Sequence, residues 1–100
     1  MPKTAFLVLK SPQELDPTHI VRRFTEKSDA SMILVEDGVY QALVSPAAEK
    51  LKLAVNEVLV SREDIEARGF SQEDLKIGRA VDYPEIVDLI MERTERTITI

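Results

Sequence analysis

Residues 30–40 read Ala-Ser-Met-Ile-Leu-Val-Glu-Asp-Gly-Val-Tyr, and this segment decides the fold. Its apolar run is typical of a buried strand and ends at two adjacent carboxylates and a glycine. A helical pattern follows, whose predicted core-facing residues are Val39, Ala42, Leu43, Leu51 and Leu53. The segment therefore predicts a strand-to-helix corner, which is where open α/β sheets usually carry functional residues.

Short apolar runs and amphipathic segments alternate along the rest of the chain. The sequence predicts strands over residues 5–9, 31–35, 57–60, 79–82 and 97–100. Prolines mark helix starts between the strands, at Asp16-Pro17, Ser45-Pro46 and Asp82-Tyr83-Pro84. Because helices connect the strands, we expect parallel strands that are buried on both faces, with right-handed crossovers.

Signals for helix ends follow the third predicted strand. Residues 61–64 and 71–74 both have the Ser-x-x-Asp spacing of a capping box, in which each of the two side chains binds the backbone of the other residue. Gly69 fits the left-handed position just past a helix, with Phe70 folding back onto Ile65. These patterns predict a short helix that ends at Arg68 and one further turn after residue 71.

The predicted fold class is α/β, a three-layer α/β/α sandwich with a mainly parallel sheet of four or five strands. The chain has 100 residues, which is enough to close one core, so a single domain over residues 1–100 is expected. Its composition, 44% hydrophobic and 31% charged, is that of a folded globular domain.

The net charge and the first residues limit which classes of partner, and which compartment, are expected. A formal charge of −5 repels nucleic acid, so direct binding of RNA or DNA is not expected. The apolar run near the start is far too short for a signal-peptide core or a membrane span, and the chain has no cysteine for disulfides. These features favour the cytoplasm and no membrane contact.

Four stretches of the chain carry a resemblance to a known family. They are residues 9–12 (Leu-Lys-Ser-Pro), 34–43 (Leu-Val-Glu-Asp-Gly-Val-Tyr-Gln-Ala-Leu), 58–70 (Val-Leu-Val-Ser-Arg-Glu-Asp-Ile-Glu-Ala-Arg-Gly-Phe) and 81–89 (Val-Asp-Tyr-Pro-Glu-Ile-Val-Asp-Leu). In this order and at these separations they resemble the small DsrH and TusB subunits of sulfur-relay complexes. The resemblance implies assembly with DsrE-like and DsrF-like, or TusC-like and TusD-like, paralogues into a sulfurtransferase complex for tRNA thiolation or sulfur metabolism.

The chain departs from the family pattern in one respect. Some members carry a cysteine in the first helix, whereas the comparable residues 20–23 here are Ile-Val-Arg-Arg. A sulfur relay holds sulfur as a persulfide on a thiolate, and a chain with no cysteine cannot form one. The leading hypothesis is therefore a non-catalytic subunit that acts in assembly or recognition, without a cofactor. Free-standing homologues also resemble the chain, so a homo-oligomer that binds a small ligand or a partner is the alternative.

Candidate site residues follow the strand ends. Asp37 before Gly38 is interpreted as a helix cap, and Glu36 as a polar contact across an interface. Asp64 and Arg68 are interpreted as a cap and a surface pair four residues apart, with a functional cluster of Glu63, Asp64 and Arg68 that faces the same crevice as Glu36 as the alternative. The remaining interface or crevice candidates are Gly38, Tyr40, Asp82 and Tyr83, the last predicted to pack over a strand end. The position of Gly38 after two acids, where a strand turns into a helix, predicts backbone that approaches a neighbour closely or needs unusual dihedrals. The only histidine, His19, is expected to be a surface residue, and neither a metal site nor a catalytic residue is predicted.

Other α/β function classes fit less well. A phosphoryl-accepting receiver domain needs an acidic pair after its first strand, where this chain has Lys10-Ser11-Pro12, and an aspartate after its third, where it has Ser61-Arg62. A hydrolase needs a nucleophile and base that the chain lacks, since it has no nucleophile-elbow serine, no cysteine and only one histidine.

Overall fold

The computed structural model describes residues 3–100; Met1 and Pro2, which the single-domain prediction includes, lie outside them. Five strands alternate with helices: β1 (Thr4–Val8), β2 (Ala30–Leu34), β3 (Glu57–Ser61), β4 (Arg79–Val81) and β5 (Arg96–Thr99). The α-helices are α1 (Thr18–Phe24), α2 (Ala47–Ala54), α3 (Arg62–Ala67) and α4 (Tyr83–Asp88). Short 3-10 helices cover Lys27–Asp29, Glu36–Ala42 and Gln72–Asp74, and a π-helical turn, Leu89–Arg93, continues α4.

The five strands form one parallel sheet in the order β4-β3-β2-β1-β5. The first three crossovers each lead to the adjacent strand, and the last returns across the sheet to place β5 beside β1. This arrangement confirms the predicted α/β sandwich, with the larger of the two predicted strand counts. It also confirms the C-terminal segment as an edge strand, one residue earlier than predicted.

Two apolar layers cover the two faces of the sheet. One face carries Phe6, Met32 and Val60, which pack with Val21 of α1, Leu51 of α2 and Ile65 of α3. The opposite face carries Ala5, Ile33, Leu59 and Val81, which pack with Ile86 and Leu89 of the α4 segment. Three helices therefore cover one face and a single helix covers the other, because only the last crossover runs back over the sheet.

The predicted helix start at Ser45-Pro46 is confirmed, since α2 begins at Ala47. Two other predictions for the second connection are wrong. The helix expected after Gly38 is a 3-10 helix, and it begins earlier, at Glu36. Leu53, predicted to face the core, is 69% exposed, because in α2 it lies away from the buried residues Ala48, Leu51 and Ala54.

Gly38 makes the closest backbone approach at this corner. A Cβ built on it would lie 2.0 Å from the carbonyl oxygen of Val8 in β1, a separation that real Cβ atoms essentially never show. The same oxygen accepts a hydrogen bond of 3.1 Å from the Val35 N–H. The glycine therefore allows the corner to pack directly on the end of β1, and any side chain there would push the two segments apart.

The predicted stop of the third helix is confirmed. Gly69 has a φ of 85°, and the Phe70 N–H donates to the carbonyl oxygen of Ile65 at 2.9 Å, which is the backbone pattern of a Schellman stop. The capping box at Ser71 and Asp74 is also present, and it opens the 3-10 helix Gln72–Asp74. These two features orient the segment that leads into β4.

A polar cluster at the carboxyl edge of the sheet

The carboxyl ends of β2, β3 and β4 meet at one edge of the sheet, and the residues that follow them form a polar network. We define the carboxyl-edge cluster as Glu36, Asp37, Arg62, Asp64, Arg68, Asp82 and Tyr83. Here α3 packs against one face of the sheet and α4 against the other. Adjacent strands that lead to helices on opposite faces leave a crevice between them, and such crevices are the usual functional sites of open α/β sheets.

Asp64 lies at the centre of the cluster. Its Oδ2 atom accepts a hydrogen bond from the Glu36 backbone N–H at 3.0 Å and another from the Tyr83 hydroxyl at 3.3 Å. The side chain is only 16% exposed. One carboxylate thus connects the segments that follow β2, β3 and β4.

The capping box predicted for residues 61–64 is only half correct. Ser61 Oγ does accept a hydrogen bond from the Asp64 N–H, at 3.3 Å. The Asp64 carboxylate, however, binds the Glu36 N–H and not the backbone of Ser61. The tertiary contact prevails because the β2 corner presents a backbone donor directly to the first turn of α3.

Glu36 has the only positive φ among the non-glycine residues that the structure describes, at 51°. This left-handed conformation costs a side-chain-bearing residue free energy, so the surroundings must hold it in place. The Asp64 carboxylate does so through the Glu36 N–H. The Glu36 side chain is exposed, and its carboxylate has no ion pair with the residues described here. A charged group therefore projects into solvent from a fixed backbone.

Arg68, at the C-terminal end of α3, connects this helix to Asp37 in the segment after β2. Its Nε and Nη2 atoms donate to Asp37 Oδ1 at 3.2 Å and 2.9 Å, and its Nη1 atom donates to the Asp64 carbonyl oxygen at 3.0 Å. The hydrogen bonds that Arg68 donates to Asp37 raise the pKa of the guanidinium, which is already high.

One sequence interpretation is therefore wrong and another is confirmed. Asp37 is not a helix cap, since it lies within the first turn of the 3-10 helix and its side chain binds Arg68. The expected pair of Asp64 and Arg68, four residues apart, is present as a contact of 3.9 Å beside the shorter one to Asp37. Both side chains also contact the β2 corner, as the cluster alternative expects, and the functional role of that cluster stays a prediction.

Asp82 and Arg62 form the part of the cluster beside β4. As predicted, Asp82 precedes the first residue of α4, but its carboxylate accepts from Arg62 Nη1 at 2.9 Å and makes no cap. Arg62 Nη2 also donates to the Ala80 carbonyl oxygen at 3.1 Å. Sequence reasoning did not select Arg62. Its contact with Asp82 depends on the register that pairs Ser61 with Val81 and so places residues 62 and 82 side by side, and this register has no signal in the sequence.

Tyr40 and Gln41 connect the 3-10 helix after β2 to its neighbours. The Tyr40 ring packs edge to face on Phe70, with ring centroids 6.1 Å apart, and this contact joins the 3-10 helix to the segment after α3. Gln41, which sequence reasoning also missed, is buried and donates to the carbonyl oxygens of Lys10 and Leu15 at 3.2 Å and 2.9 Å. Its isolated polar character between Val39 and Ala42 on a buried face was the signal.

A cavity of about 360 Å³ opens beside the cluster. It is lined by Ser11, Pro12, Gln13, Asp37, Tyr40 and Val44.

In the part of the chain that the structure describes, no group of three or more His, Cys, Asp or Glu side chains is placed to hold a metal ion. His19 is exposed, as predicted, and its Nε2 atom lies 3.9 Å from Asp16. Carboxylates, arginines and a tyrosine hydroxyl suit the cluster to recognition of a polar surface or ligand.

A five-stranded parallel sheet with helices on both faces, and with paired charges at its carboxyl edge, defines the class of small α/β/α sandwich proteins. Over residues 10–96 the chain matches the family described as DsrH like protein. The chain belongs to the DsrH family, and this membership supports a role as a sulfur-relay-related subunit.

A solved structure has a similar fold. The chain is similar to protein Tm0979 from Thermotoga maritima, whose solution NMR structure superposes with a TM-score of 0.64 at 28% sequence identity. The alignment covers 86% of this chain and 88% of that one. The comparison with curated proteins found no match. Within residues 3–100, no helix has both the length and the apolar character that crossing a membrane requires.

Proposed function

We propose that the chain is a non-catalytic subunit of a cytoplasmic sulfur-relay complex, in which it acts in assembly or recognition for tRNA thiolation or sulfur metabolism. Its partners are DsrE-like and DsrF-like, or TusC-like and TusD-like, subunits, and it contacts neither nucleic acid nor membrane. Family membership supports the relay, and the sequence contains no cysteine on which a persulfide could form.

One observation carries the assignment to recognition: the exposed carboxylate of Glu36 on a backbone that Asp64 holds in the left-handed region. Strained backbone that the surroundings fix in one conformation is concentrated at functional sites. A backbone that is already fixed need not be ordered on binding, so the side chain that projects from it is well suited to an interface anchor. The partner is therefore expected to present a basic or hydrogen-bond-donating group to Glu36.

A variant pair tests this proposal. The chain is co-expressed with its DsrE-like and DsrF-like subunits, and the complex is measured by native mass spectrometry and by its dissociation constant. Glu36→Ala is expected to weaken association by about 1–3 kcal/mol while the melting temperature stays close to that of the wild type. Glu49→Gln, on the exposed side of α2, is the control. Unchanged assembly of Glu36→Ala would remove this residue from the interface, and no complex with the wild-type chain would overturn the proposal.

The second candidate function is a stand-alone homo-oligomer that holds a small ligand. The cavity lined by Asp37, Tyr40 and Ser11 favours it, because its size falls within the range of small-molecule sites and it carries polar groups beside apolar ones. Native mass spectrometry of the purified chain separates the two candidates. A defined homo-oligomer that excludes the paralogous subunits favours the second, and a hetero-oligomer of fixed stoichiometry favours the first.

A further inference from the structure

An apolar stripe runs along the outer side of the last helix. Three of the six exposed large apolar side chains in residues 3–100 lie on it: Tyr83 is 46% exposed, Val87 54% and Met91 74%. They are spaced four residues apart along α4 and its π-helical continuation, so they lie on one side of the helix. We call these three residues the α4 stripe.

The stripe extends the buried face of this helix. Ile86 and Leu89 face the sheet, Ile90 is half-buried, and the stripe lies next to them around the helix. The apolar part of the helix surface, which includes both the buried face and the stripe, is therefore wider than the sheet alone can cover. The same sheet face has only this one helix over it, and its residues Leu7 and Val35 remain partly exposed. Apolar surface left in this way is typical of a protein interaction site.

Charges beside the stripe indicate the chemistry of the partner. Asp88 and Glu92 each follow a stripe residue, are exposed, and lie on the side of the stripe away from the sheet. The two nearby arginines already form ion pairs within this chain: Arg79 pairs with Glu85, and Arg93 pairs with Glu57. The stripe therefore presents apolar side chains with an acidic border to a partner. A complementary partner surface is an apolar patch bordered by lysine or arginine.

A second copy of this chain is a poorer occupant. A two-fold interface brings the same patch of two copies together. If the two helices pack antiparallel through their stripes, the acidic border of one helix lies beside the acidic border of the other. Asp88 and Glu92 of both copies then face one another, and like charges across an interface disfavour pairing. A different protein avoids this repulsion.

The stripe is continuous with the carboxyl-edge cluster. The Tyr83 ring begins the stripe, and its hydroxyl donates to Asp64 within the cluster. We propose that the α4 stripe is the docking surface for a partner subunit whose contacting face is apolar with a basic border, an inference that rests on the proposed function as a relay subunit. One partner can then cover both the stripe and the cluster.

Lysine substitutions test the apolar part of this surface. The dissociation constant for the DsrE-like and DsrF-like subunits is measured for Val87→Lys, Met91→Lys and, as the control, Leu53→Lys, which places the same charge on an exposed apolar position of α2. Each stripe variant is expected to bind about tenfold or more weakly, whereas the control binds as the wild type does. Melting temperatures verify that all three remain folded. Wild-type affinity in both stripe variants would overturn the inference and leave the proposed function standing.

Neutralising the acidic border tests the charge of the partner. The double variant Asp88→Asn, Glu92→Gln is expected to bind the partner subunits a few fold more weakly and with a smaller dependence on salt, because basic groups lose their counterparts. Glu49→Gln is the control for a change in net charge. Stronger self-association of the double variant, with no loss of partner affinity, would show that a second copy occupies the stripe and would overturn the inference.

Discussion

The Asp64 carboxylate accepts a hydrogen bond from the Glu36 backbone N–H at 3.0 Å, and this contact joins the corner after β2 to the first turn of α3. It links two residues that are 28 positions apart in the sequence. The same oxygen accepts from Tyr83, which begins α4. A single side chain therefore fixes the positions of three segments that carry the candidate site.

Replacing Asp64 with alanine should destabilise the protein. The substitution removes the carboxylate, only 16% exposed, that accepts from the Glu36 N–H, and it also removes the partner of the Tyr83 hydroxyl. We expect a loss of about 1–3 kcal/mol in the free energy of unfolding, measured by urea denaturation. Glu63→Ala, at the exposed neighbouring position of α3, is the control and should change stability by less than about 0.5 kcal/mol. Equal effects of the two substitutions would contradict the role of Asp64.

Replacing Gly38 with alanine should also damage folding. The added Cβ would lie 2.0 Å from the Val8 carbonyl oxygen, so β1 and the corner would have to separate. A loss of at least about 2 kcal/mol in unfolding free energy is expected. Gly69→Ala is the comparison, since a Cβ there meets nothing within 4 Å and the cost of about 1 kcal/mol comes only from the positive φ. A smaller loss for Gly38→Ala than for Gly69→Ala would refute the close-approach argument.

The sequence was sufficient for the fold because the local and global signals agree. Apolar runs, proline starts and the Gly69 stop each predicted the element that forms, and most predicted strand bounds differ from the observed ones by a single residue. The glycine after two acids also predicted a close approach, which Gly38 makes on β1. At these positions the structure depends on the residue itself and its near neighbours in the sequence, so the sequence pattern predicts it.

The residues of the carboxyl-edge cluster other than Arg62 were candidates from the sequence, but their contacts were not predicted. Asp37 and Asp64 both have local roles that suit their sequence neighbours, and in the structure tertiary partners replace those roles: Arg68 for Asp37 and the Glu36 N–H for Asp64. The left-handed backbone of Glu36 has no sequence signature, because glutamate rarely adopts it. Such contacts depend on how separate segments meet at the sheet edge.

The positive φ of Glu36 predicts a substitution that keeps or raises the free energy of unfolding, whereas the first two substitutions lower it. Glycine adopts a φ of 51° without steric cost, although it loses more conformational entropy on folding. Glu36→Gly is therefore expected to lie between neutral and about 1 kcal/mol more stable than the wild type in urea unfolding. Glu63→Gly, in the helical backbone of α3, should be about 1 kcal/mol less stable. Destabilisation of similar size in both variants would show that Glu36 is not strained.

Asp16 should make stability depend on pH in the acid range. The hydrogen bond from the Thr18 hydroxyl, at 2.6 Å, is the main cause that lowers the pKa of this carboxyl, with Lys50 adding a smaller attraction. A carboxyl whose pKa is lower in the folded state stabilises the fold fully above its unfolded pKa of about 3.9 and loses that contribution as the pH falls through the folded value.

The measurement compares the wild type with Asp16→Asn, which keeps the shape of the side chain and removes its charge. The wild type should be the more stable at pH 7, and the difference in unfolding free energy should shrink as the pH falls below about 4. Glu49→Gln serves as the control for the loss of a surface carboxylate. A difference between wild type and Asp16→Asn that stays constant from pH 7 to pH 2 would contradict the prediction.

Sulfur labelling tests the proposed non-catalytic role most directly. A persulfide forms when a thiolate attacks a sulfur donor, and the 100-residue sequence contains no cysteine to supply that thiolate. The purified chain incubated with a cysteine desulfurase, cysteine and mass-tagged sulfur should therefore carry no covalent sulfur after denaturation. A matched variant, Val21→Cys, places a thiol in the region of α1 where some family members carry one, and an exposed Arg22→Cys provides a thiol that reagents can reach. Stoichiometric label on the wild-type chain, removed by a thiol, would mean that this subunit carries sulfur itself and would overturn its assignment to assembly or recognition.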